Sequence, residues 1–150
     1  MSAMSRRTVV RGAAWTVPVL AVAAQAPSFA ASTDAPRTSG PASYVVCKLA
    51  GAGQNCQSYR VTLTLDVQPD DTWDITLTEV TFNGTLTTFT PVDFAVRFDN
   101  RVITFDFCTD NKSPSHFDIG IRFTARNRRT GVSTAVAETA SLAPGSVKNC

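Results

Sequence analysis

The sequence contains few of the side chains that most enzymes use for acid–base or metal chemistry. It has one histidine, His116, and two glutamates, Glu79 and Glu138. It lacks a Gly-x-Ser-x-Gly elbow, a Gly-rich phosphate loop and closely spaced Cys or His/Cys sets. A Ser-His-acid hydrolase would have to use His116 as its base, and Ser113, Ser115 and Asp118 near it in the sequence do not by themselves define a triad. We therefore expect a non-enzymatic protein with no cofactor and no resident metal.

The chain also lacks a strong excess of one charge and a long uninterrupted apolar run. Its 14 basic and 12 acidic residues give a net charge of +2, whereas a general nucleic-acid binder is expected to be strongly basic. The apolar stretch 12–26 is interrupted by Trp15, Pro18 and Gln25, and it is shorter than the ~20 apolar residues of a membrane-spanning helix. We expect no nucleic-acid partner and no stable membrane insertion once the N-terminal segment is cleaved.

The N-terminus does contain the ordered features of a removable export signal. Arg6 and Arg7 form an adjacent basic pair, the apolar stretch 12–26 follows, and Ser28 and Ala30 supply small residues at a cleavage site. We expect residues 1–30 to be removed as a signal peptide, with a retained membrane anchor as the alternative. The arginine pair favours the twin-arginine route over the general secretory route.

The segment from Arg6 to Pro18 resembles the signal peptides of small secreted proteins from high-GC Gram-positive bacteria. The resemblance implies an exported actinobacterial protein that uses twin-arginine translocation. It is limited to the signal segment and carries no active site. Because the C-terminal residues 146–150 contain no hydrophobic tail and no wall-sorting motif, we expect an extracellular product, free or associated with the cell wall.

The mature chain is expected to be one small domain that follows a short leader. Cleavage after Ala30 would leave eleven basic and twelve acidic residues, a net charge of −1. Residues 31–43 are small and polar and include Pro and Gly, which predicts a flexible leader with no contribution to the core. Residues 44–150 are long enough to form a single domain with its own core.

The cysteines predict two disulfides. An even number in an exported chain, here Cys47, Cys56, Cys108 and Cys150, is typical of oxidised pairs. Three pairings are open, and we favour Cys47–Cys56 with Cys108–Cys150. The first would close a short loop that contains Gly51-Ala52-Gly53, and the second would fix the C-terminal tail.

Apolar and polar residues alternate from Tyr44 onward, which predicts strands with one buried face and one exposed face. The faces of Val80, Phe82 and Phe89 are not assigned by the pattern, and we expect them to be buried. The core positions that the alternation does assign are Val61, Leu63, Leu65, Val67, Trp73, Ile75, Leu77, Phe94, Val96, Phe98, Ile103, Phe105, Phe107, Phe117, Ile119, Ile121 and Phe123.

Turn signals separate these runs and indicate the fold class. Pro69-Asp70-Asp71, Asn83-Gly84, Asp99-Asn100 and Asn127–Gly131 each predict a reversal of the chain. The last run, 132–142, is rich in alanine; we predict a strand, with a helix as the alternative. The pattern predicts an all-β protein, an antiparallel immunoglobulin-like β-sandwich of seven to eight strands. A small closed barrel is the competing architecture.

Charge is distributed unevenly along the mature chain. From 61 to 96 there are six acidic residues and no basic ones, whereas 97–130 contains seven basic and four acidic residues. Four of these arginines form a candidate binding patch for an acidic envelope polymer or protein: Arg122, Arg126, Arg128 and Arg129. In the competing interpretation, they pair across strands with Asp66, Asp74 or Asp93 and serve solubility.

A second acidic feature is the cluster of Asp66, Asp70, Asp71 and Asp74 at one strand–turn–strand junction. Calcium prefers clustered carboxylate oxygens. The ordered Asp-x-Asp-x-Asp-Gly loop is missing, so we favour solvated turn aspartates over a calcium site.

Taken together, these features favour a secreted binding or interaction module at or near the cell envelope. The alternatives are a small extracellular hydrolase that uses His116 or aspartates, and a secreted inhibitor or ligand carrier. A large apolar cleft between the sheets would favour a carrier, and a rigid protruding loop would favour an inhibitor.

Overall fold

The computed structural model describes residues 34–50, 56–110 and 114–150. The predicted export signal, including Arg6, Arg7 and Ala30, lies outside the described residues. The strands of the described part are β1 (Tyr44–Lys48), β2 (Gln57–Thr64), β3 (Thr72–Phe82), β4 (Thr85–Leu86), β5 (Thr88–Thr90), β6 (Asp93–Arg97), β7 (Val102–Thr109), β8 (Phe117–Asn127), β9 (Ser133–Leu142) and β10 (Lys148–Asn149). Two short 3-10 turns, Pro41–Ser43 and Pro144–Ser146, complete the described secondary structure.

The strands form two packed sheets. The first has the order β10-β1-β2-β7-β5, and the second has the order β4-β3-β8-β9 with β6 also paired to β3. All neighbours are antiparallel except β1 and β10. The series β1-β2-β7-β5 facing β3-β8-β9 follows the ABED and CFG order of a seven-stranded immunoglobulin domain. The protein is therefore an all-β, immunoglobulin-like sandwich.

The described strands are more numerous than the seven or eight expected, because three of them are very short. β4, β5 and β10 contain two or three residues each, too few for an alternating pattern to reveal. The alanine-rich C-terminal run forms β9, which confirms the strand prediction for that run.

The core lies between the sheets, where the alternating apolar residues meet. Val80 and Phe82 are buried as expected, and Phe89 packs partly buried against the core. Aromatic rings dominate one region, in which Tyr59 stacks on Phe107 with ring centroids 5.4 Å apart. The largest fully buried side chains are Trp73, Phe82, Phe105, Phe107, Phe117, Phe123, Leu63, Leu65, Ile75, Ile103, Ile119 and Ile121.

The prediction that Phe98 is a core residue was wrong. β6 ends at Arg97, and reciprocal backbone hydrogen bonds of 3.0 and 2.9 Å between Arg97 and Asn100 close a tight turn. The turn therefore falls on Phe98 and Asp99, one residue earlier than the sequence signal suggested. As a result Phe98 lies at the tip of the turn and is 54% exposed.

The disulfides join Cys47 to Cys150 and Cys56 to Cys108, so the favoured pairing was wrong. Both bonds cross-link strands or strand ends of the first sheet rather than the two sheets to each other. They close segments with sequence separations of 103 and 52, for which the chain-entropy model gives about 4–5 kcal/mol each. Two such bonds indicate an oxidising, non-cytoplasmic environment.

Strand register explains the pairing. Cys47 of β1 lies opposite Arg60 of β2. Cys56 precedes Arg60 by four residues, so at ~3.3 Å per residue it is about 13 Å along the strand from the position that faces Cys47. β10 runs parallel to β1 and aligns Lys148 with Cys47. This alignment brings Cys150 within bonding distance of Cys47, with their Cα atoms 5.0 Å apart.

Residues 34–43 of the predicted leader pack against the sandwich, so the expectation that the leader makes no core contribution was wrong. Ala35 is a buried member of the core cluster. The backbone N–H of Asp66 donates to the carbonyl of Arg37 at 2.7 Å, and the Ser43 side chain is buried. This segment therefore belongs to the sandwich domain.

The ordered leader is held at β9 by polar contacts. Thr38 Oγ1 donates to Glu138 Oε2 at 3.1 Å, and Arg37 Nη1 lies 3.7 Å from Glu138 Oε1. Tyr44, the first residue of β1, is buried close to the same carboxylate. Burial raises the pKa of Tyr44 to about 12, and the charge of Glu138 acts in the same direction.

We expect the folded protein to resist tyrosine ionisation in alkali. Burial also raises the pKa of Tyr59, the second of the two tyrosines in the chain. Because the unfolded chain releases these protons near the ordinary value of 10.0, stability falls as the pH rises above that value. Ultraviolet absorbance of tyrosinate should therefore develop together with unfolding followed by circular dichroism. Half-ionisation at pH 10 in a chain that is still folded would contradict the burial of these side chains.

Candidate binding surface

The arginines of the predicted patch lie on or just after β8. Arg122 and Arg126 are exposed on the outer face of this strand, as expected from their spacing. Arg128 and Arg129 follow in the loop that leads to β9. The four side chains thus belong to one region of the second sheet, but their charges are not equally available.

Two patch arginines pair with acidic residues of β3. Arg128 Nη2 lies 2.6 Å from Asp74 Oδ1, and Arg122 Nε lies 3.6 Å from Glu79 Oε1. The hydrogen bond from Arg128 lowers the pKa of Asp74. Cross-strand pairing was the competing interpretation of the patch, and for Arg128 it involves the expected partner, Asp74.

Arg129, the last arginine of the predicted patch, takes part in a more buried contact. Arg129 Nη2 lies 2.8 Å from Oδ1 of Asp71, whose side chain is 5% exposed. The adjacent Asn127 is fully buried, and its Oδ1 accepts hydrogen bonds from the backbone N–H groups of Arg129 and Thr130 at 2.8 and 3.1 Å. The β2–β3 and β8–β9 loops are therefore held together by a charged contact and a side-chain cap.

Two exposed arginines near this end of the sandwich, Arg101 and Arg126, are less engaged than the others, and Arg126 is the register partner of Asp74, whose pKa its charge helps to lower. Within residues 34–50, 56–110 and 114–150, neither Arg101 nor Arg126 forms an ion pair. Arg101 was not part of the predicted patch. The available positive charge is therefore smaller than the sequence indicates and is distributed differently.

Exposed apolar side chains accompany these arginines. Thr72 pairs with Arg97 on one side, and its carbonyl accepts a 2.9 Å hydrogen bond from the Arg128 N–H on the other. The turn 97–102 and the loop 128–132 thus lie at the same end of the sandwich, and we call their exposed residues, together with exposed Arg126 near the end of β8, the loop face. Phe98, Val102 and Val132 are 54%, 45% and 57% exposed on it.

The aspartates of the candidate calcium cluster do not assemble into a site. Asp71 and Asp74 are engaged by Arg129 and Arg128, and Asp70 adopts a left-handed turn conformation with φ of 68°. In the part of the chain that the structure describes, no three His, Cys, Asp or Glu side chains converge as metal ligands.

His116 has polar neighbours on both sides of its ring. Its Nδ1 lies 3.3 Å from Ser115 Oγ, and its Nε2 lies 3.9 Å from Asp118 Oδ2. The serine and the acid flank the histidine as in a hydrolase triad, but they face exchanged ring nitrogens, and the 3.9 Å contact is too long for a hydrogen bond. All three side chains are also exposed, and the serine is the immediate neighbour of the histidine, so the geometry gives no enclosed reaction site.

Sequence reasoning missed Asn127, Phe98 and Arg101. The Asn-x-x-x-Gly pattern of the loop 127–131 indicated a turn, but not that the asparagine side chain would cap it. No sequence signal marked Phe98 as exposed, since it continues the alternation of β6.

No protein-family model matches the chain, and no curated protein shows significant similarity to it. Among the helical segments of the described residues, none has the length and apolar character needed to cross a bilayer.

We expect Asp71→Asn to destabilise the domain by about 1–2 kcal/mol at neutral pH, because a hydrogen bond between charged groups is lost. The Arg129 guanidinium lowers the pKa of Asp71 below its ordinary value of 3.8. The stabilisation is therefore present above that pH and disappears as the pH falls below it. Urea unfolding at neutral and acidic pH measures both effects.

Asp70→Asn is the matched control, since the neighbouring Asp70 is exposed and turn-forming. It should change stability little at either pH. Equal stability of Asp71→Asn and the parent protein at neutral pH would show that the loops are not held by this contact.

Proposed function

We propose that the protein is a secreted, non-enzymatic binding module that acts at or near the cell envelope. The two disulfides and the export-signal features of the N-terminus support an extracellular location. The sandwich supplies a rigid scaffold on which loops present a recognition surface.

The observation that carries the proposal is the loop face. The Asp71–Arg129 contact fixes one of its loops, and the paired backbone of Arg97 and Asn100 fixes its turn. Binding to a fixed surface avoids the entropic cost of ordering loops. Aromatic and arginine side chains such as Phe98 and Arg101 are the types enriched at interfaces.

The proposed partner is an acidic envelope polymer or an acidic protein. Arg101 and Arg126 would supply long-range attraction, and Phe98 would supply apolar contact. The partner is not a nucleic acid, and the mature chain is not inserted stably into the membrane. Most of the arginine patch is internally compensated, so we assign recognition to these two arginines rather than to Arg122, Arg128 and Arg129.

The inhibitor alternative shares this surface, because a tight turn with Phe98 at its tip is a rigid protruding element. The carrier alternative finds less support, since large side chains such as Trp73 and Phe105 fill the space between the sheets. The hydrolase alternative depends on the exposed arrangement of Ser115, His116 and Asp118.

Arg126→Glu should weaken binding of the mature chain to isolated cell walls of a high-GC Gram-positive bacterium. A basic residue near an anionic surface contributes about 1 kcal/mol, so we expect a loss of about fivefold or more at low salt. The difference should shrink as salt increases. Cosedimentation over a salt series measures the retained fraction.

The matched control is Lys148→Glu, which makes the same charge change at an exposed position of the first sheet. It should leave retention near the parent value. Equal losses in both variants would indicate a general charge effect, and unchanged retention of Arg126→Glu would reject the assigned surface.

A further inference from the structure

The outer face of the second sheet carries two neighbouring depressions. One, of about 390 Å³, lies over β3 and β6, and the other, of about 330 Å³, lies mainly over β8 and β9. Thr76 lines the first and Thr124 lines the second, and these two residues are direct partners in the β3–β8 register. The depressions are therefore separated by a single pair of threonines, and we call them together the groove.

The groove is shallow because small side chains form much of its surface. Ala95 lines it on β6, and Ala135 and Ala137 line it on β9. It crosses four strands, so at ~4.8 Å between neighbouring strands its length is about 14 Å. An elongated ligand lying across the strands fits this shape better than a compact one.

Hydrogen-bonding groups line the groove. Thr76 Oγ1 donates to Asp93 Oδ1 at 2.7 Å, which leaves the other carboxylate oxygen of Asp93 available as an acceptor. Asp74 and Arg128 line the same depression. Thr124, with its hydroxyl-bearing side chain, lines the second. Phe94 packs inward against the core, so the outward side chains of β6 that face the first depression are Asp93 and Ala95.

The charges of the groove are largely balanced within the protein. Arg128 pairs with Asp74, and Arg122 pairs with Glu79 beside the second depression. Within the described residues Asp93 forms no ion pair. A strongly charged polymer would meet both signs here, whereas a neutral ligand with many hydroxyl groups can donate to the carboxylates and accept from the guanidinium groups.

We propose that the groove binds a neutral oligosaccharide, with Asp93 as its principal hydrogen-bond acceptor. The proposal adds a second ligand, distinct from the acidic partner of the loop face, and it rests on the proposed function only in that both ligands belong to the cell envelope. It places the ligand on the outer sheet face, not on the loop face. Its binding is insensitive to salt, because no net ionic attraction is involved.

The test is a titration of the isotope-labelled mature chain, followed by NMR, with neutral oligosaccharides of glucose, mannose, galactose and N-acetylglucosamine. We expect shifts of the amides of Thr76, Asp93, Thr124 and Ala135, and the same affinity at low and high salt. Asp93→Ala should weaken binding about tenfold, because a hydrogen bond to a charged group is lost. Asp66→Ala, the same change at an exposed position outside both the groove and the loop face, should have no effect.

Ala137→Arg provides a second variant, since it fills the groove from the edge strand without removing a buried side chain. It should abolish the shifts while leaving the rest of the spectrum unchanged. Absence of binding by every oligosaccharide, or shifts confined to the loop face, would overturn the proposal. In that case salt-sensitive wall binding that depends on Arg126 would still support the proposed function. The oligosaccharide proposal and the proposed function can therefore fail separately.

Discussion

The antiparallel pairing of β3 with β8 is the constraint on which the other features depend. These two strands form the centre of the second sheet, and their inward side chains supply much of the core. Their register places Asp74 opposite Arg126 and Glu79 opposite Arg122. An acidic segment of the chain is thus laid beside a basic one, so charges that are segregated in sequence are largely balanced in space.

The alternating pattern predicted the two-layer fold because the burial of one strand face depends only on neighbouring residues. Val61, Ile75 and Ile121, for example, are all buried as expected, and Asn83-Gly84 forms the expected turn, with both residues at positive φ. The disulfide pairing could not be predicted in this way, because it depends on β10 aligning in parallel with β1. Phe98 was missed because turn closure at Arg97 overrides the alternation.

In the candidate site, too, features set by neighbouring residues were predictable from the sequence, whereas contacts between distant segments were not. The outward direction of Arg122 and Arg126 follows from their spacing along one strand, and it was predicted. The engagement of Arg129 by Asp71 joins two loops that are distant in sequence, so local patterns contain no sign of it. Recognition by this protein should accordingly depend less on bulk positive charge than on two arginines without an ion pair among the described residues and on a sheet face whose charges are largely balanced.

The central claim is that the β3–β8 pairing lays the acidic side chains of β3 beside the arginines of β8 and of the loop that follows it, so that Arg122 and Arg128 are neutralised. The most direct test is the measurement of cross-strand nuclear Overhauser effects between backbone protons of β3 and β8 in the mature, oxidised protein. The account predicts contacts that align Asp74 with Arg126 and Glu79 with Arg122, with an irregularity between Leu77 and Glu79. A register displaced by one or more residues, with these arginines facing no carboxylate, would contradict it.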